Sequence, residues 1–247
     1  MKKIKKLIGL ILAITLIANL AGCDFDQLGS GSFGDFLGTI GLGSQDETQT
    51  KDAPTNNDTL IENKKLSITM LNVGQGLSIL LESNGEYMLY DGGDREASSY
   101  VVAYLDNHNI NHLKYMFASH YDDDHINGLV GVLNTTKVDT VVNPNYETDT
   151  KVYNSYKEKL SENGADVNYP SVGDKYKLGY ANITVLAPAR DYDDYNEMSV
   201  AIKVQCDDFV CIITGDAEKE SEADMLKNGI SLNADLYVVV LLALKSL

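Results

Sequence analysis

At 247 residues the chain has room for one sizeable domain with appendages, and its 44% of hydrophobic residues is enough for a packed core. The formal net charge is −16; the first 22 residues hold four Lys and no acid, so the remainder sets 16 Lys and Arg against 36 Asp and Glu, a net −20. A surface this acidic repels nucleic acid and anionic lipid unless a local basic patch or bound cations reverse the field. The composition argues against tight, charge-driven DNA binding, although it leaves open a metal-dependent reaction on a phosphodiester.

The N-terminus has the pattern of an export signal. Met1–Gly22 places four lysines before the apolar run Leu7–Leu20, which is too short, and too polar at Asn19, for a membrane span. The following Leu20-Ala21-Gly22-Cys23 resembles a bacterial lipobox, which implies cleavage before Cys23 and a lipid on its sulfur. The alternative is an ordinary cleaved signal followed by an incidental cysteine. We expect a lipid-anchored protein on the extracytoplasmic face of the cell membrane.

The next segment predicts a flexible spacer. Residues 23–65 are rich in Gly and Ser at first and polar later, without sustained hydrophobic periodicity. We therefore predict a signal peptide over residues 1–22, a linker over 23–65 and a folded domain over 66–247.

The folded part alternates between strand-like and helix-like stretches, which predicts an α/β (α+β) domain. Asn84-Gly85 is a strong two-residue hairpin signal between the second and third strands. The predicted strands are Leu66–Leu71, Leu77–Leu81, Tyr87–Tyr90, Leu113–Ala118, Val138–Val142, Ile183–Leu186, Ser199–Cys206, Phe209–Thr214 and Ala234–Val238. The predicted helices are Ser98–Leu105, Gly128–Leu133, Lys151–Leu160 and Glu218–Lys227.

One short stretch concentrates the chemistry of the chain. Ser119–Gly128 contains His120, three consecutive carboxylates at residues 122–124, and His125. We expect it to form a loop at the carboxyl end of a strand, where open α/β sheets bind ligands. Imidazole and carboxylate together suit a divalent metal. Three Asp alone would indicate a solvated acidic loop, but a histidine on both sides favours a metal site.

An internal repeat places one further Asp in each half of the domain. Strand, tight hairpin, strand, Asp and helix follow one another over Leu77–Leu105, with Asp91 after the second strand. The same order recurs over Ser199–Lys227, with Asp216 in the corresponding place. This predicts two similar halves packed sheet against sheet, each contributing an Asp to a shared cleft.

Two cysteines and two histidines have plainer interpretations. A turn at Asp207-Asp208 would pair Cys206 with Phe209 and leave Cys211 diagonal to it, about 7 Å away at Cβ. That separation is too long for an unstrained disulfide, so we predict two buried thiols. His108 and His112 lie away from the acidic stretch and are expected at the surface.

Four motifs in this order resemble the metallo-β-lactamase superfamily over residues 66 to about 238. They are Leu71-Asn72-Val73-Gly74-Gln75-Gly76, Tyr90-Asp91-Gly92-Gly93, Ser119-His120-x-Asp122-x-Asp124-His125-x-x-Gly128 and Thr214-Gly215-Asp216-Ala217. The pattern is most similar to the competence-related branch, the extracytoplasmic hydrolase domain of ComEC-type DNA-uptake proteins. The resemblance implies a four-layer αββα sandwich of two similar halves, in agreement with the internal repeat.

The resemblance also implies two divalent metal ions, zinc or manganese. Carried over to matching positions, His120 and Asp122 would ligate the first ion, and Asp124 and His125 the second. Asp216 would bridge them. Outside the competence-related branch a histidine usually stands at the position of Asp122, and the extra carboxylate should shift preference towards Mn²⁺.

Three further residues receive supporting roles from the resemblance. Asp91 would orient the cluster as a hydrogen-bond acceptor behind the metal ligands. Asn196 and Ser199 stand in a segment where many members have a ligating histidine, and they are candidate site residues. Asp124, or a metal-bound water, would handle the proton.

The largest departure from the family pattern is at the C-terminus. After a strand like Ala234–Val238, members continue with Gly-His-His-Gly-Ser and further elements, whereas this chain continues as Val239–Leu247, an almost uncharged apolar stretch. We expect an incomplete second half, from truncation, a frameshift or a degenerate copy.

Three functions remain open on the sequence. The leading hypothesis is a phosphodiesterase or nuclease in which two ions hold a bridging hydroxide, acting on DNA during uptake or outside the cell. The second is a hydrolase of lactones, thioesters or β-lactams with the same metal ligands. The resemblance implies that a histidine of the missing Gly-His-His-Gly-Ser segment would complete the ligands of the second ion. The third hypothesis is therefore a non-catalytic surface lipoprotein, inactive through loss of this C-terminal metal ligand.

Overall fold

A computed structural model of the chain describes the backbone of residues 59–63, and both the backbone and the side chains of residues 65–239. The predicted signal peptide, the lipidation site at Cys23, most of the predicted linker and the stretch from residue 240 onward lie outside the described residues. No helix of the described part is long and apolar enough to cross a membrane.

The first sheet contains seven strands within the described residues, ordered along the chain from β1 to β7. The strands are β1 Thr59–Asn63, β2 Leu66–Met70, β3 Ile79–Ser83, β4 Glu86–Tyr90, β5 His112–Phe117, β6 Lys137–Val142 and β7 Asp166–Asn168. Pairing is antiparallel from β1 to β4 and parallel from β4 to β7. The carboxyl ends of the parallel strands therefore share one edge of this sheet.

The second sheet contains five strands within the described residues, in the order β12-β11-β10-β9-β8. The strands are β8 Lys175–Leu178, β9 Ala181–Val185, β10 Ile202–Cys206, β11 Phe209–Ile213 and β12 Leu236–Val238. Neighbours from β8 to β11 are antiparallel, whereas β12 runs parallel to β11.

Helices cover the outer faces of both sheets. The helices of the described part are α1 Ser98–Asn107, α2 Asp123–Thr135, α3 Lys151–Asn163 and α4 Lys219–Lys227, with a short 3₁₀ turn at Asn196–Met198. The first three pack on the outer face of the first sheet, and Met225 of α4 packs on the second. A third core of side chains fills the space between the sheets. The four layers αββα confirm the predicted fold class.

The internal repeat is confirmed in the topology. The hairpin β3–β4 is followed by α1 and by β5, which pairs parallel to β4. The hairpin β10–β11 is followed by α4 and by β12, which pairs parallel to β11. Asn84 and Gly85 both have positive φ, as the predicted two-residue turn requires.

Several predicted boundaries were wrong. The sequence assigns residues 59–63 to the linker, whereas the structure pairs them with β2 as strand β1. The sequence analysis missed the short strands β7 and β8. β7 is exposed along its length and has little apolar periodicity, whereas β8 alternates Lys with apolar residues over only four positions. The acidic cluster is only partly a loop, since α2 begins at Asp123 and places His125 in its first turn.

The two thiols are buried and unpaired, as predicted. Cys206 pairs with Phe209 in the register of the hairpin, and Cys211 pairs with Val204. Burial raises the pKa of the Cys211 thiol to about 12. His108 and His112 are exposed, also as predicted.

Two glycines let the backbone after β4 touch the helix that carries His125. The Gly92 amide donates to the His125 carbonyl at 2.7 Å, and the Gly128 amide donates to the Gly93 carbonyl at 3.1 Å. A Cβ at Gly128 would lie 1.8 Å from the Gly92 oxygen, and one at Gly92 would lie 2.4 Å from the Leu129 nitrogen. The motif glycines therefore set the distance between β4 and α2.

We expect Gly128→Ala to lower the free energy of unfolding by about 3 kcal/mol, because the new Cβ must push the two backbones apart. Gly164→Ala is the control, since its φ is positive but no atom lies within 4 Å of the added Cβ. The control should lose about 1 kcal/mol. Urea denaturation of both variants measures this, and equal losses would contradict the close-approach argument.

Candidate metal centre

The site lies where the ends of three strands meet. Asp91 follows β4 directly, His120 follows β5, and Asp216 follows β11 of the second sheet. His125 joins them from the first turn of α2. The two halves of the domain therefore both contribute side chains, as the internal repeat predicts.

Burial and several hydrogen bonds hold the Asp91 carboxylate in one position. Its side chain is fully buried, and its φ of 57° lies in the left-handed region that Asp tolerates better than most residues. One carboxylate oxygen accepts the Ser119 amide at 2.8 Å. The other lies 2.7 Å from the Ser119 hydroxyl and 2.8 Å from Nδ1 of His125. Asp91 therefore has the orienting position that the resemblance implies.

Hydrogen bonds to Asp91 orient both imidazoles. Because a carboxylate only accepts, Nδ1 of His125 must donate to it. The Ser119 hydroxyl also donates to Asp91, so it is left to accept from Nδ1 of His120 at 3.0 Å. Both rings then carry a proton on Nδ1 and turn Nε2 away from Asp91. The sequence analysis gave Ser119 no role, although it opens the motif.

Three buried atoms of the site have no hydrogen-bond partner among the described residues. They are Nε2 of His120, Nε2 of His125 and one carboxylate oxygen of Asp216. Ligand atoms of these residues lie within 4.8 Å of one another. Nε2 of His125 and that Asp216 oxygen lie 3.2 Å apart, within ion-pair distance when the ring is protonated but outside hydrogen-bond geometry. Leaving three buried polar atoms unpaired is costly, so their convergence fits a cation held between them.

The charges around the two rings differ sharply. Burial, aided by the neighbouring His125, lowers the pKa of His120 to about 3, so its ring is neutral near pH 7. Burial also acts to lower the pKa of His125, but the carboxylates of Asp91 and Asp216 outweigh it and raise that pKa to about 10. The pKa of Asp216 is lowered, because the two histidines outweigh the effect of its burial.

The other predicted metal ligands lie at the edge of this group. Asp122 caps the start of α2 without a side-chain cap bond, is 54% exposed, and has a carboxylate oxygen 3.8 Å from Nε2 of His120. Asp124 is partly buried on the first turn of α2 and does not belong to the three-residue group. The structure thus brings together His120, His125 and Asp216, with Asp122 near them.

The two candidates from the second half have different positions. The buried Ser199 hydroxyl accepts the Asp216 amide at 3.2 Å and lies 3.5 Å from Nδ1 of His120. Asn196 instead donates its side-chain amide to Glu218 at 3.2 Å, away from the three-residue group. Ser199 is thus part of the site's framework, whereas Asn196 holds the loop beside α4.

Glu197 has a role that the sequence analysis missed. Its buried carboxylate accepts three backbone amides at the start of α4, from Glu218 at 3.2 Å and from Glu220 and Ser221 at 2.8 Å. A carboxylate at a helix N-terminus satisfies amides that have no partner within the helix. Glu197 therefore fixes the segment of Ser199 against the helix that follows Asp216. Helix α4 begins 22 residues after Glu197, so no local sequence pattern could have indicated this contact.

Tyrosines connect the two halves of the domain beside His120. The Tyr146 hydroxyl accepts the Tyr121 amide, next to His120, at 2.8 Å. The Tyr146 ring stacks on Tyr195 with centroids 4.6 Å apart and an interplanar angle of 8°. This stack joins the loop after β6 to the loop before the 3₁₀ turn.

We expect His120→Ala to weaken Zn²⁺ binding to the full-length protein at least 100-fold, because it removes one of three converging atoms. His112→Ala is the matched control, since this exposed histidine also contacts a carboxylate, Asp139, at 2.8 Å. Isothermal titration with a competing chelator measures both affinities. Equal affinities in the two variants would contradict the proposed ligand group.

Comparison with known proteins agrees with this architecture. Residues 71–180 match the family model of the metallo-beta-lactamase superfamily. No curated protein matches the sequence. One similar solved structure is MEM-A1, a subclass B3 metallo-beta-lactamase from a soil metagenome library, at 14% identity over 71% of this chain and 76% of that chain, with a TM-score of 0.47.

Two other solved structures are similarly distant. The metallo-beta-lactamase fold protein YhfI from Bacillus subtilis has 14% identity over 56% of this chain and 54% of that chain, with a TM-score of 0.40. A flavo di-iron protein from Thermotoga maritima has 13% identity over 66% of this chain and 43% of that chain, with a TM-score of 0.45. Likenesses this weak support no argument about substrate. The layers of the described chain and the match over residues 71–180 together show a metallo-β-lactamase fold.

Proposed function

We propose that this protein is a metal-dependent hydrolase of phosphodiesters. The observation that carries the proposal is the convergence of three buried, unpartnered atoms on His120, His125 and Asp216. Two imidazole nitrogens and a carboxylate oxygen form a ligand set that suits zinc or manganese. A divalent cation held there would supply Lewis acidity to a phosphate oxygen and to an attacking water.

The residues around the group would position this chemistry. Asp91 and Ser119 hold both rings with Nε2 turned towards the cleft, so the rings need not turn when a cation binds, whereas His125 must release the proton that its neighbouring carboxylates stabilise. The Asp216 amide is tied to Ser199, which limits movement of the carboxylate that faces His125. The unequal environments of the two rings keep His120 neutral and therefore ready to act as a ligand.

A second ion would need the carboxylates at the start of α2. Asp122 has a carboxylate oxygen 3.8 Å from Nε2 of His120, and Asp124 precedes His125 on the first turn of α2, so these two carboxylates are the candidates to supply its oxygens. Asp124 is also the candidate for handling the proton of the attacking water. We propose this two-ion arrangement as the working form, and elemental analysis of the loaded protein measures the number of ions.

The phosphodiester class rests on the four motifs and their resemblance to the competence-related branch. Lactones, thioesters and β-lactams could be hydrolysed by the same ligand group, and the described loops do not distinguish between them. A non-catalytic lipoprotein would bind one ion or none and would hydrolyse none of these substrates. A panel of substrates tested side by side therefore separates the three functions.

We expect the full-length protein, loaded with Mn²⁺ or Zn²⁺, to cleave bis-p-nitrophenyl phosphate and DNA. Asp216→Asn should lower kcat/KM at least 100-fold, because it removes a charged ligand that faces His125. Asp139→Asn, at an exposed carboxylate that contacts His112, is the control and should keep full activity. If the loaded wild type left both phosphodiesters intact, the proposal would be wrong.

We also propose that the protein is anchored to the outer face of the cell membrane through Cys23. The support is the sequence Leu20-Ala21-Gly22-Cys23 after a basic and apolar leader. A chain tethered in this way would present its metal centre to extracellular substrates. One acyl-bearing residue at the end of a polar spacer would leave the domain free to move over the surface.

Changing Cys23 to Ser should abolish incorporation of labelled palmitate and move the protein from the detergent phase to the aqueous phase in Triton X-114 partition. The reason is that the sulfur that accepts the lipid is lost. Cys206→Ser, at a buried core thiol, is the control for cysteine replacement and should remain lipidated. Equal labelling of wild type and Cys23→Ser would refute the anchor.

A further inference from the structure

A groove on the outer face of the domain departs from the acidic character of the chain. It runs along α2 and α3, has a volume of about 700 Å³, and is lined by Arg95, Lys151 and Lys159. Asp123 is the one acidic side chain among its described lining residues. The whole chain carries a net −16, so this groove gives an anion a local positive field that the overall charge does not offer.

Two of these cations are available to a ligand. Arg95 and Lys151 are exposed, and neither forms an ion pair with any described residue. Lys159 differs, because its amine lies 2.6 Å from the Glu162 carboxylate. The other arginine of the chain, Arg190, is held by two carboxylates, at 2.6 Å and 2.9 Å. An unpaired guanidinium presents a planar fork of donors that matches phosphate oxygens.

The groove adjoins the metal centre through α2. Its lining residues Asp123 and Asn127 are two positions before and after His125 in the sequence. Two positions turn a helix by roughly 200°, so these side chains face away from His125 across a helix about 10 Å wide. A small phosphodiester at the metal centre cannot reach the groove. A polymer that passes over the N-terminus of α2 can contact both.

We propose that this groove, with Arg95 and Lys151 as its contacts, binds the phosphates of a nucleic-acid strand whose scissile phosphodiester lies at the metal centre. This inference rests on the proposed function and adds to the metal centre a second surface that contacts the polymer. The cationic groove follows the sugar-phosphate backbone and reads no sequence. The positive charge of the groove residues answers the objection that an acidic protein repels such a substrate.

The experiment compares two charge-reversed forms of the full-length protein. The groove variant is Arg95→Glu with Lys151→Glu. The control variant is Lys137→Glu with Lys175→Glu, two exposed lysines outside the groove, which gives the same change in net charge. For each form, kcat/KM is measured for a 12-nucleotide single-stranded DNA and for bis-p-nitrophenyl phosphate.

We expect the ratio of the two kcat/KM values, DNA over the small substrate, to fall at least tenfold in the groove variant and less than twofold in the control. The salt dependence of the DNA reaction should also weaken, by about 1.4 in the slope of log kcat/KM against log salt, because two phosphate contacts are lost. If the small substrate is cleaved but both variants keep the wild-type ratio, the groove proposal fails while the proposed function stands.

A binding measurement keeps the groove testable if no substrate is cleaved. Fluorescence anisotropy of the labelled oligonucleotide should show binding to wild type and to the control variant, and weakened binding to the groove variant. That result supports the groove even where the proposed function has failed. Absence of binding to wild type overturns it. Loss of affinity for anionic phosphatidylglycerol vesicles in the groove variant, with oligonucleotide binding unchanged, also overturns it in favour of a lipid surface.

Discussion

The hydrogen bonds of the Asp91 carboxylate are the interaction on which the rest of the site depends. This one buried group holds His125 directly and His120 through the Ser119 hydroxyl. Without it, both rings could rotate or exchange protons between their nitrogens, and their Nε2 atoms would no longer converge with Asp216. Burying a carboxylate is expensive, and burial does raise the pKa of Asp91, but the donors from Ser119 and His125 offset much of the cost.

The backbone makes this arrangement rigid by joining the two halves directly beside the metal group. The Val200 amide donates to the Ser119 carbonyl at 2.9 Å, and the Tyr90 hydroxyl, next to Asp91, donates to the Val200 carbonyl at 2.8 Å. Gly215 approaches so closely that a Cβ there would lie 2.6 Å from that of Ser119. These contacts at the site add to the core between the sheets in fixing their relative position, and this suits a ligand group drawn from both of them.

The sequence predicted those site residues whose type and position already indicate metal binding. His120 and His125 stand out in an acidic stretch, and Asp91 and Asp216 recur in equivalent places of two similar units. Glu197 could not be predicted, since its partners are backbone amides of a helix distant in sequence. The same limit applies to strand β1, because it is a strand through its pairing with β2. The start of α2 was readable from the sequence, since Asp is a favoured residue at a helix N-cap and Asp122 stands there.

Net charge gave the least reliable guide to what the domain can bind, and the structure shows why. Most of its acidic groups are exposed and screened within about 10 Å at moderate salt, so they act weakly on a ligand held in a cleft. Inside the site, burial and neighbouring charges together decide which groups are charged: burial lowers the pKa of His120, whereas the carboxylates of Asp91 and Asp216 raise the pKa of His125 against the effect of burial. On the outer face, Arg95 and Lys151 have no ion-pair partner among the described residues and line the same groove beside α2. The charge that a ligand would meet therefore depends on the groups nearest to it rather than on the net charge of the chain.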